Sequence, residues 1–259
     1  MSTPSLAFTD LGSGRPLVLL HAFPLNRRMW EPQFAALAKD FRLIAPDYPG
    51  MGESPLSPTP YSLESLADSI MALLKSMDIS EKVSLLGLSM GGYLAFEVAR
   101  KYPGRLNALI LAATHPAPDS EQGRQARQET AEMARKEGLE PLADRMLPRL
   151  LGKTTRDTHP ELVGKVRAQI ISNSKEGVAQ ASLAMAERRD SIPLLPQIQI
   201  PTLLLSGTED PIIPGMPPEA VQQQIPVSAW TVIERSGHLL NLEQPGQFNR
   251  HVGEFLSRV

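Results

Sequence analysis

The sequence predicts an α/β domain built on a mostly parallel central β-sheet flanked by helices, with a helical cap inserted between two parts of the core. Three observations predict it. Short apolar runs of strand length alternate with segments of helical period, the pattern of parallel strands joined by covering helices. That alternation stops after residue 114 and resumes at residue 192, so the core is expected from 1–114 and 192–259 and the cap from 115–191. The chain has 259 residues, 42% hydrophobic and 21% charged, enough to bury one substantial core.

Taken in order, "LAFTD" followed by "LGSGRP" reads as a hairpin turn leading into the buried strand Leu17–His21. Trp30–Ala38 suits a helix and Phe41–Asp47 the next strand. Prolines cluster in "SPLSPTP" before a helix from Leu63 to about Met77, where Leu66, Ile70, Leu73, Leu74 and Met77 recur at helical spacing. "VSLLGLS" reads as a strand, Met90–Lys101 as a helix ending near Pro103, and Leu106–Ala112 as a further strand. From His115 to Ser191 no strand pattern occurs. Helical stretches fill the interval instead: Ser120–Lys136, Pro141–Leu151, Pro160–Ser172 and Lys175–Arg189. Gly138 and Gly152 are read as C-terminal caps between them. The strand Ile200–Gly207, a helix around Glu219–Ile225, the strand "SAWTVIE" and a final helix Gln244–Ser257 complete the pattern.

Composition excludes several classes of function. A net charge of −2 offers no basic surface to nucleic acid or to an anionic membrane. The absence of cysteine removes disulfides, thiol nucleophiles and Cys-ligated metals. No apolar stretch approaches the roughly 20 residues of a membrane helix, and the start "MSTPSLAFTDLGSG" lacks the parts of a secretory signal. The expectation is a soluble, cytoplasmic protein with a small-molecule substrate and with no cofactor, metal, nucleic acid or membrane partner. Its oligomeric state is not legible in the sequence.

Residues 85–92 read "LLGLSMGG", placing Ser89 in a G-x-S-x-G pattern where a predicted strand passes into a predicted helix. A sharp junction there forces the serine into a strained backbone conformation and projects its Oγ above the sheet edge. Side chains two residues before and after would collide with the neighbouring helix and strand, so both positions are glycine. The helix beginning beyond Ser89 adds free N–H groups and a positive dipole end.

A serine hydroxyl needs an adjacent base to act as a nucleophile. Of five histidines, His21 ends an early strand, His115 and His159 lie in or beside the insertion, and His251 is mid-helix. His238, in the loop "ERSGHLLNLEQP" after the last predicted strand, is the candidate. The base in turn needs a carboxylate to fix its tautomer and stabilise its cation. "SGTEDPIIP" offers Asp210 just past a strand, with adjacent Glu209 as the obvious competitor and Glu243 as a weaker one.

Four stretches, "HAFPLNRRMW", "DYPGMGES", "GLSMGG" and "GTEDPIIP…SGHLLNLEQP", together with the order Ser89…Asp210…His238, resemble the α/β-hydrolase superfamily over essentially the whole chain. Within it the sequence is similar to small cofactor-free esterases, enol-lactonases and haloperoxidase-like hydrolases. The resemblance implies an eight-stranded-type sheet and an oxyanion hole made by the backbone N–H groups of Phe23 and Met90. It makes Phe23, Met90 and Trp30 candidate pocket walls, with buried core as the competing role for Trp30. His21 is expected to brace its loop, and Asp47 to fix a turn. Ala22 departs from the glycine many relatives carry, putting the shape of the oxyanion loop in question. The implied activity is ester hydrolysis through an acyl-enzyme. A 3-oxoadipate enol-lactonase-like lactone hydrolase is the alternative, with perhydrolysis as a side activity. For a dicarboxylate-type lactone, Arg27, Arg28 or a cap arginine should meet the second carboxylate. A slow-turnover ligand receptor on the same fold is the reading from a different class.

Overall fold

The computed structural model describes residues 6–212 and 217–259. Seven strands form one sheet: β1 Phe8–Leu11, β2 Arg15–Leu20, β3 Phe41–Pro46, β4 Val83–Leu88, β5 Leu106–Ala112, β6 Thr202–Gly207 and β7 Ser228–Ile233. Their spatial order is β1-β3-β2-β4-β5-β6-β7, and only the β1–β3 pair is antiparallel. The sheet thus has seven strands among the described residues, where the resemblance implies an eight-stranded type. The hairpin expected between β1 and β2 does not form, because β3 lies between them. Gly12 and Gly14, both at positive φ, carry the chain across the start of β3. A Cβ on Gly12 would lie 2.4 Å from the carbonyl oxygens of Ala38 and Phe41.

The inner strands are buried on both faces and sort their side chains by the two-residue period of a strand. Val18, Leu20, Leu85, Leu109, Leu111 and Leu204 face one apolar layer. Leu17, Leu19, Leu86, Leu88, Ile110 and Leu205 face the other. Helices cover both layers. A 3₁₀ turn, Arg27–Trp30, precedes α1 Glu31–Leu37; α2 is Leu63–Ser76 and α3 is Met90–Lys101. A reciprocal cap starts α2, the Ser62 and Ser65 side chains each accepting from the other's backbone N–H.

Between β5 and β6 the chain makes five α-helices, a 3₁₀ helix Ile192–Gln197 and, among the described residues, no strand: α4 Glu121–Lys136, α5 Leu139–Leu150, α6 Lys153–Thr158, α7 Pro160–Ile171 and α8 Lys175–Ala186. Small residues let α4 pack against α8: Ala131 and Ala134 are buried in one cluster with Val178, Ala181 and Met185. The helix α6 escaped sequence reading because "KTTRDT" is short, β-branched and without an apolar stripe. The chain closes with α9 Pro218–Gln222, α10 Leu240–Glu243 and α11 Pro245–Leu256. Part of "GTEDPIIP", residues 213 and 214, lies outside the described residues. No helix among the described residues is long and apolar enough to cross a membrane.

Two cap glycines have steric roles. Gly138 follows α4 at φ 93 but at ψ −172, so it takes a glycine-favouring backbone outside the left-handed helical cap and stands at the N-cap of α5. Gly152 is extended, at φ −62 and ψ 158, and the C-terminal capping role expected for each is corrected. A Cβ there would lie 2.6 Å from the Glu209 carboxylate and 2.8 Å from the Gly237 nitrogen. Gly177, inside α8, meets the core loop: a Cβ would lie 2.4 Å from the Gly50 carbonyl oxygen and 2.6 Å from its Cα. Alanine ordinarily gains about 1 kcal/mol over glycine in a helix, but here backbone blocks it. Gly177→Ala is expected to lower the unfolding free energy by about 1–3 kcal/mol in urea titrations; a stabilised variant would contradict the close approach.

Candidate active site

Ser89 stands between β4 and α3 at φ 56, ψ −113, a strained conformation for a residue with a side chain. The three glycines around it permit this. A Cβ on Gly87 would lie 2.3 Å from the Gly91 carbonyl oxygen, on Gly91 2.0 Å from the Leu20 carbonyl oxygen, and on Gly92 2.4 Å from the Thr114 side chain. The Ser89 N–H donates to Ala112 at 2.9 Å, and its carbonyl accepts from Thr114 Oγ1 and the Gly92 N–H. A serine preceding a helix usually caps it with its hydroxyl; this one does not. Its Oγ lies 2.7 Å from His238 Nε2.

His238 is 2% exposed, and its Nδ1 lies 2.8 Å from Asp210 Oδ2. A carboxylate there accepts the Nδ1 proton, which leaves the Nε2 lone pair to accept from the Ser89 hydroxyl. Asp210 Oδ1 accepts from the Ile212 N–H at 2.8 Å, so each carboxylate oxygen has a partner. The structure therefore brings Ser89, His238 and Asp210 together at the C-terminal edge of β4, β7 and β6. It does not bring in Glu209 or Glu243.

Those two acids reach the helical insertion instead. Glu209 accepts from the Thr154 N–H at 2.7 Å and from the Thr154 hydroxyl, and the hydroxyl first of all holds its pKa below the usual range. Glu243 accepts from the Gly152 N–H at 2.7 Å and the Gly237 N–H at 3.0 Å. Burial raises the Glu243 pKa against the pull of these donors. With Leu239 N–H donating to Leu150 at 3.1 Å, the α5–α6 junction is fastened to the loops that carry Asp210 and His238. A groove of about 580 Å³ under α7 reaches Glu243, but Ser89, Phe23 and His238 do not line it.

On the opposite side stands the loop after β2. His21 Nδ1 donates to the Ala22 carbonyl at 3.0 Å, and Nε2 accepts from the Tyr48 N–H at 3.1 Å, so the ring braces the loop. The Tyr48 ring stacks on it at 3.7 Å. Ala22 is buried in the apolar layer with Met29 and Leu88, and its N–H donates to Met29 Sδ at 3.2 Å. Among the described residues, neither the Phe23 nor the Met90 N–H donates to a protein acceptor. For Met90 the reason is its place at the first position of α3. Trp30, a candidate pocket wall from sequence, is corrected to core: it is fully buried against Phe248 of α11. Arg27 is tied to Asp47, Glu53 and Thr9, and Arg28 pairs with Glu31 at the surface, so neither arginine is held toward Ser89.

Residues of the helical insertion form a polar cluster against Tyr93 of α3, and sequence reading missed it. Arg188 pairs with Asp119 at 2.7 Å and lies over the Tyr93 ring at 4.3 Å, and Arg127 pairs with Asp119 at 3.2 Å. Tyr93 meets His115 edge-on at 5.5 Å. Burial raises Tyr93 and lowers His115 to about 4; Asp210 adds to the first shift, and Arg188, with His238, to the second. His21 is likewise lowered to about 4, mainly by burial. Both histidines stay neutral in the folded chain but take up protons near pH 6.5 when unfolded. Their contribution is therefore complete above pH 6.5 and is lost as the pH falls toward 4. Each should steepen the acid-side fall of the unfolding free energy by up to about 1.4 kcal/mol per pH unit. Urea melts at about pH 7 and pH 5 should give a shallower dependence for His115→Gln than for the parent chain; equal slopes would contradict it.

Comparison with known proteins assigns the fold to a family. A family model described as alpha/beta hydrolase fold matches residues 15–245. The 3-oxoadipate enol-lactonase 2 of Acinetobacter baylyi is 31% identical over 242 residues, covering 93% of this chain and 88% of that protein. A thermophilic esterase from Thermogutta terrifontis, solved with malate bound, is 44% identical with a TM-score of 0.95, over 98% of this chain and 93% of that one. The enol-lactonase from Burkholderia xenovorans LB400 is 28% identical with a TM-score of 0.90, over 97% and 96%. The chain belongs to the alpha/beta hydrolase fold family.

Proposed function

We propose that this chain is a serine hydrolase of carboxylic esters with small to medium acyl groups, in which Ser89 is the nucleophile, His238 the base and Asp210 its orienting carboxylate. The observation that carries the reading is the continuous chain of hydrogen bonds from Ser89 Oγ through the His238 ring to Asp210. In it, His238 Nε2 takes the Ser89 proton as Oγ bonds the carbonyl carbon of the ester. The carbonyl electron pair moves onto oxygen, where the N–H groups of Phe23 and Met90 stabilise the charge. Such a donor is worth about 3–4 kcal/mol to the barrier. Collapse breaks the bond to the alcohol, which leaves with the proton from His238. Water then attacks the acyl-enzyme, giving its proton to His238, and the acid departs as Ser89 is restored.

The Thermogutta terrifontis esterase supports ester hydrolysis, and the enol-lactonases support an internal ester as the alternative substrate. One observation favours an acid-bearing lactone or half-ester: Arg127 and Arg188 share a single carboxylate, Asp119, leaving one positive charge beside Tyr93 and His115. The malate in the esterase relative fits an anionic ligand as well. A slow-turnover receptor would bind such a ligand without repeated turnover of p-nitrophenyl esters.

Two substitutions test the assignment. Ser89→Ala should abolish turnover of p-nitrophenyl butyrate and labelling by a fluorophosphonate while the thermal melt is retained; more than a few per cent residual activity would refute it. Asp210→Asn should lower kcat by about 10³- to 10⁴-fold, whereas Glu209→Gln should cost less than about tenfold. The reverse order would assign the carboxylate to Glu209.

A further inference from the structure

We infer that Asn173, at the junction of α7 and α8, is a positioning residue that holds the Phe23 N–H in place for the oxyanion; this rests on the reading proposed above. Asn173 is 8% exposed, and its side chain makes all four hydrogen bonds an amide can make. Nδ2 donates to the Pro24 carbonyl at 2.8 Å and to the Gln169 carbonyl at 3.1 Å. Oδ1 accepts from the Gly52 N–H at 2.8 Å and from Asn26 Nδ2 at 3.0 Å. The partners fix the orientation of the amide, since two carbonyls demand the nitrogen on one side and a backbone N–H demands the oxygen on the other.

The place of this contact gives it its consequence. Phe23 N–H must stay unpaired to meet an oxyanion, and Pro24 has no N–H at all. The two residues can therefore be gripped only through carbonyls and side chains, and Pro24 O is gripped by Asn173. Behind them the loop is braced by His21 and by the Leu25 N–H on the Ala22 carbonyl at 2.9 Å. Above them Asn173 is itself fixed by Gly52 of the "DYPGMGES" turn and by Asn26, whose Oδ1 accepts from Gln169 Nε2 at 3.0 Å. The Ser174 N–H also donates to the Gly50 carbonyl at 2.9 Å, so the α7–α8 junction is a rigid mount rather than a loose cover. Asn173→Ala leaves Pro24 O and Gly52 N–H without their buried partner. Asn173→Asp turns a carboxylate oxygen toward two carbonyls.

The test compares parent, Asn173→Ala and Asn173→Asp on p-nitrophenyl butyrate and on a trifluoromethyl ketone, which forms a tetrahedral alkoxide with the serine. Loss of donor alignment should lower kcat by about 10- to 100-fold with KM changed by less than about threefold. Affinity for the ketone should fall with kcat, while the downfield proton resonance of the His238–Asp210 hydrogen bond in the free enzyme stays where it is. Unchanged kcat, or a kcat loss that leaves ketone affinity intact or moves the histidine resonance, would overturn the inference. Where Asn173→Ala fails to fold, Asn173→Ser, too short to reach Pro24 O, carries the same expectations. A parent chain inert toward esters and fluorophosphonate would overturn the hydrolase reading itself; an active parent with unimpaired variants would overturn the inference alone.

Discussion

The backbone of Ser89 governs the arrangement of everything near it. A residue at φ 56 between a strand and a helix folds the helix back so tightly that α3 starts against the end of β2. That contact brings the Met90 N–H, at the helix start, close to the loop that carries Phe23. It also lies where the strand order changes direction, with β3 on one side of β2 and β4 on the other, the position at which loops of a parallel sheet diverge and leave a crevice. Conformational strain of order 1–3 kcal/mol at such a residue persists only where surrounding packing over-determines it. Here the Ala112, Thr114, Gly92 and Leu20 contacts supply that packing.

Two of the junctions between the helical insertion and the core lie beside the candidate site, and each meets a different part of it. The α5–α6 junction meets the loops of Asp210 and His238 through Glu209, Glu243 and the paired glycines Gly152 and Gly237. The α7–α8 junction meets the loop of Phe23 through Asn173 and the turn of Asp47 through Gly177. Carboxylates serve the first junction because the groups to be held there are backbone N–H donors. An amide serves the second because both donors and carbonyls must be satisfied by one side chain. Glycine recurs at both because backbone meets backbone there.

What the sequence disclosed follows from the range of the forces involved. The inner strands and the elbow were legible because strand alternation and the glycines around Ser89 are local constraints written in adjacent residues. His238 was legible through its position after the last strand. The choice of Asp210 over Glu209 was only narrowed, since neighbouring residues leave a strand on opposite sides and the sequence alone does not say which side faces the histidine. Asn173 was invisible: "ISNSKEG" reads as an ordinary helix junction, and its four partners lie between 4 and 149 positions away. The hairpin failed because pairing of β1 is decided by β3, a contact across the sheet, and Trp30 went to the core because Phe248 waits for it 218 residues later.

Three histidines are buried around Ser89, and what each ring nitrogen touches separates their chemistry. His21 gives its proton to a carbonyl and accepts a backbone N–H, so both nitrogens are occupied by neutral groups and burial keeps the ring uncharged. Burial keeps His115 neutral, and the guanidinium of Arg188 facing it adds to this. His238 alone of the three is hydrogen-bonded to a carboxylate, and in the proposed reaction that carboxylate orients the ring that takes the serine proton. His21 and His115 are thus held neutral chiefly by burial, whereas the His238 ring is hydrogen-bonded to a carboxylate on one side and to a hydroxyl on the other.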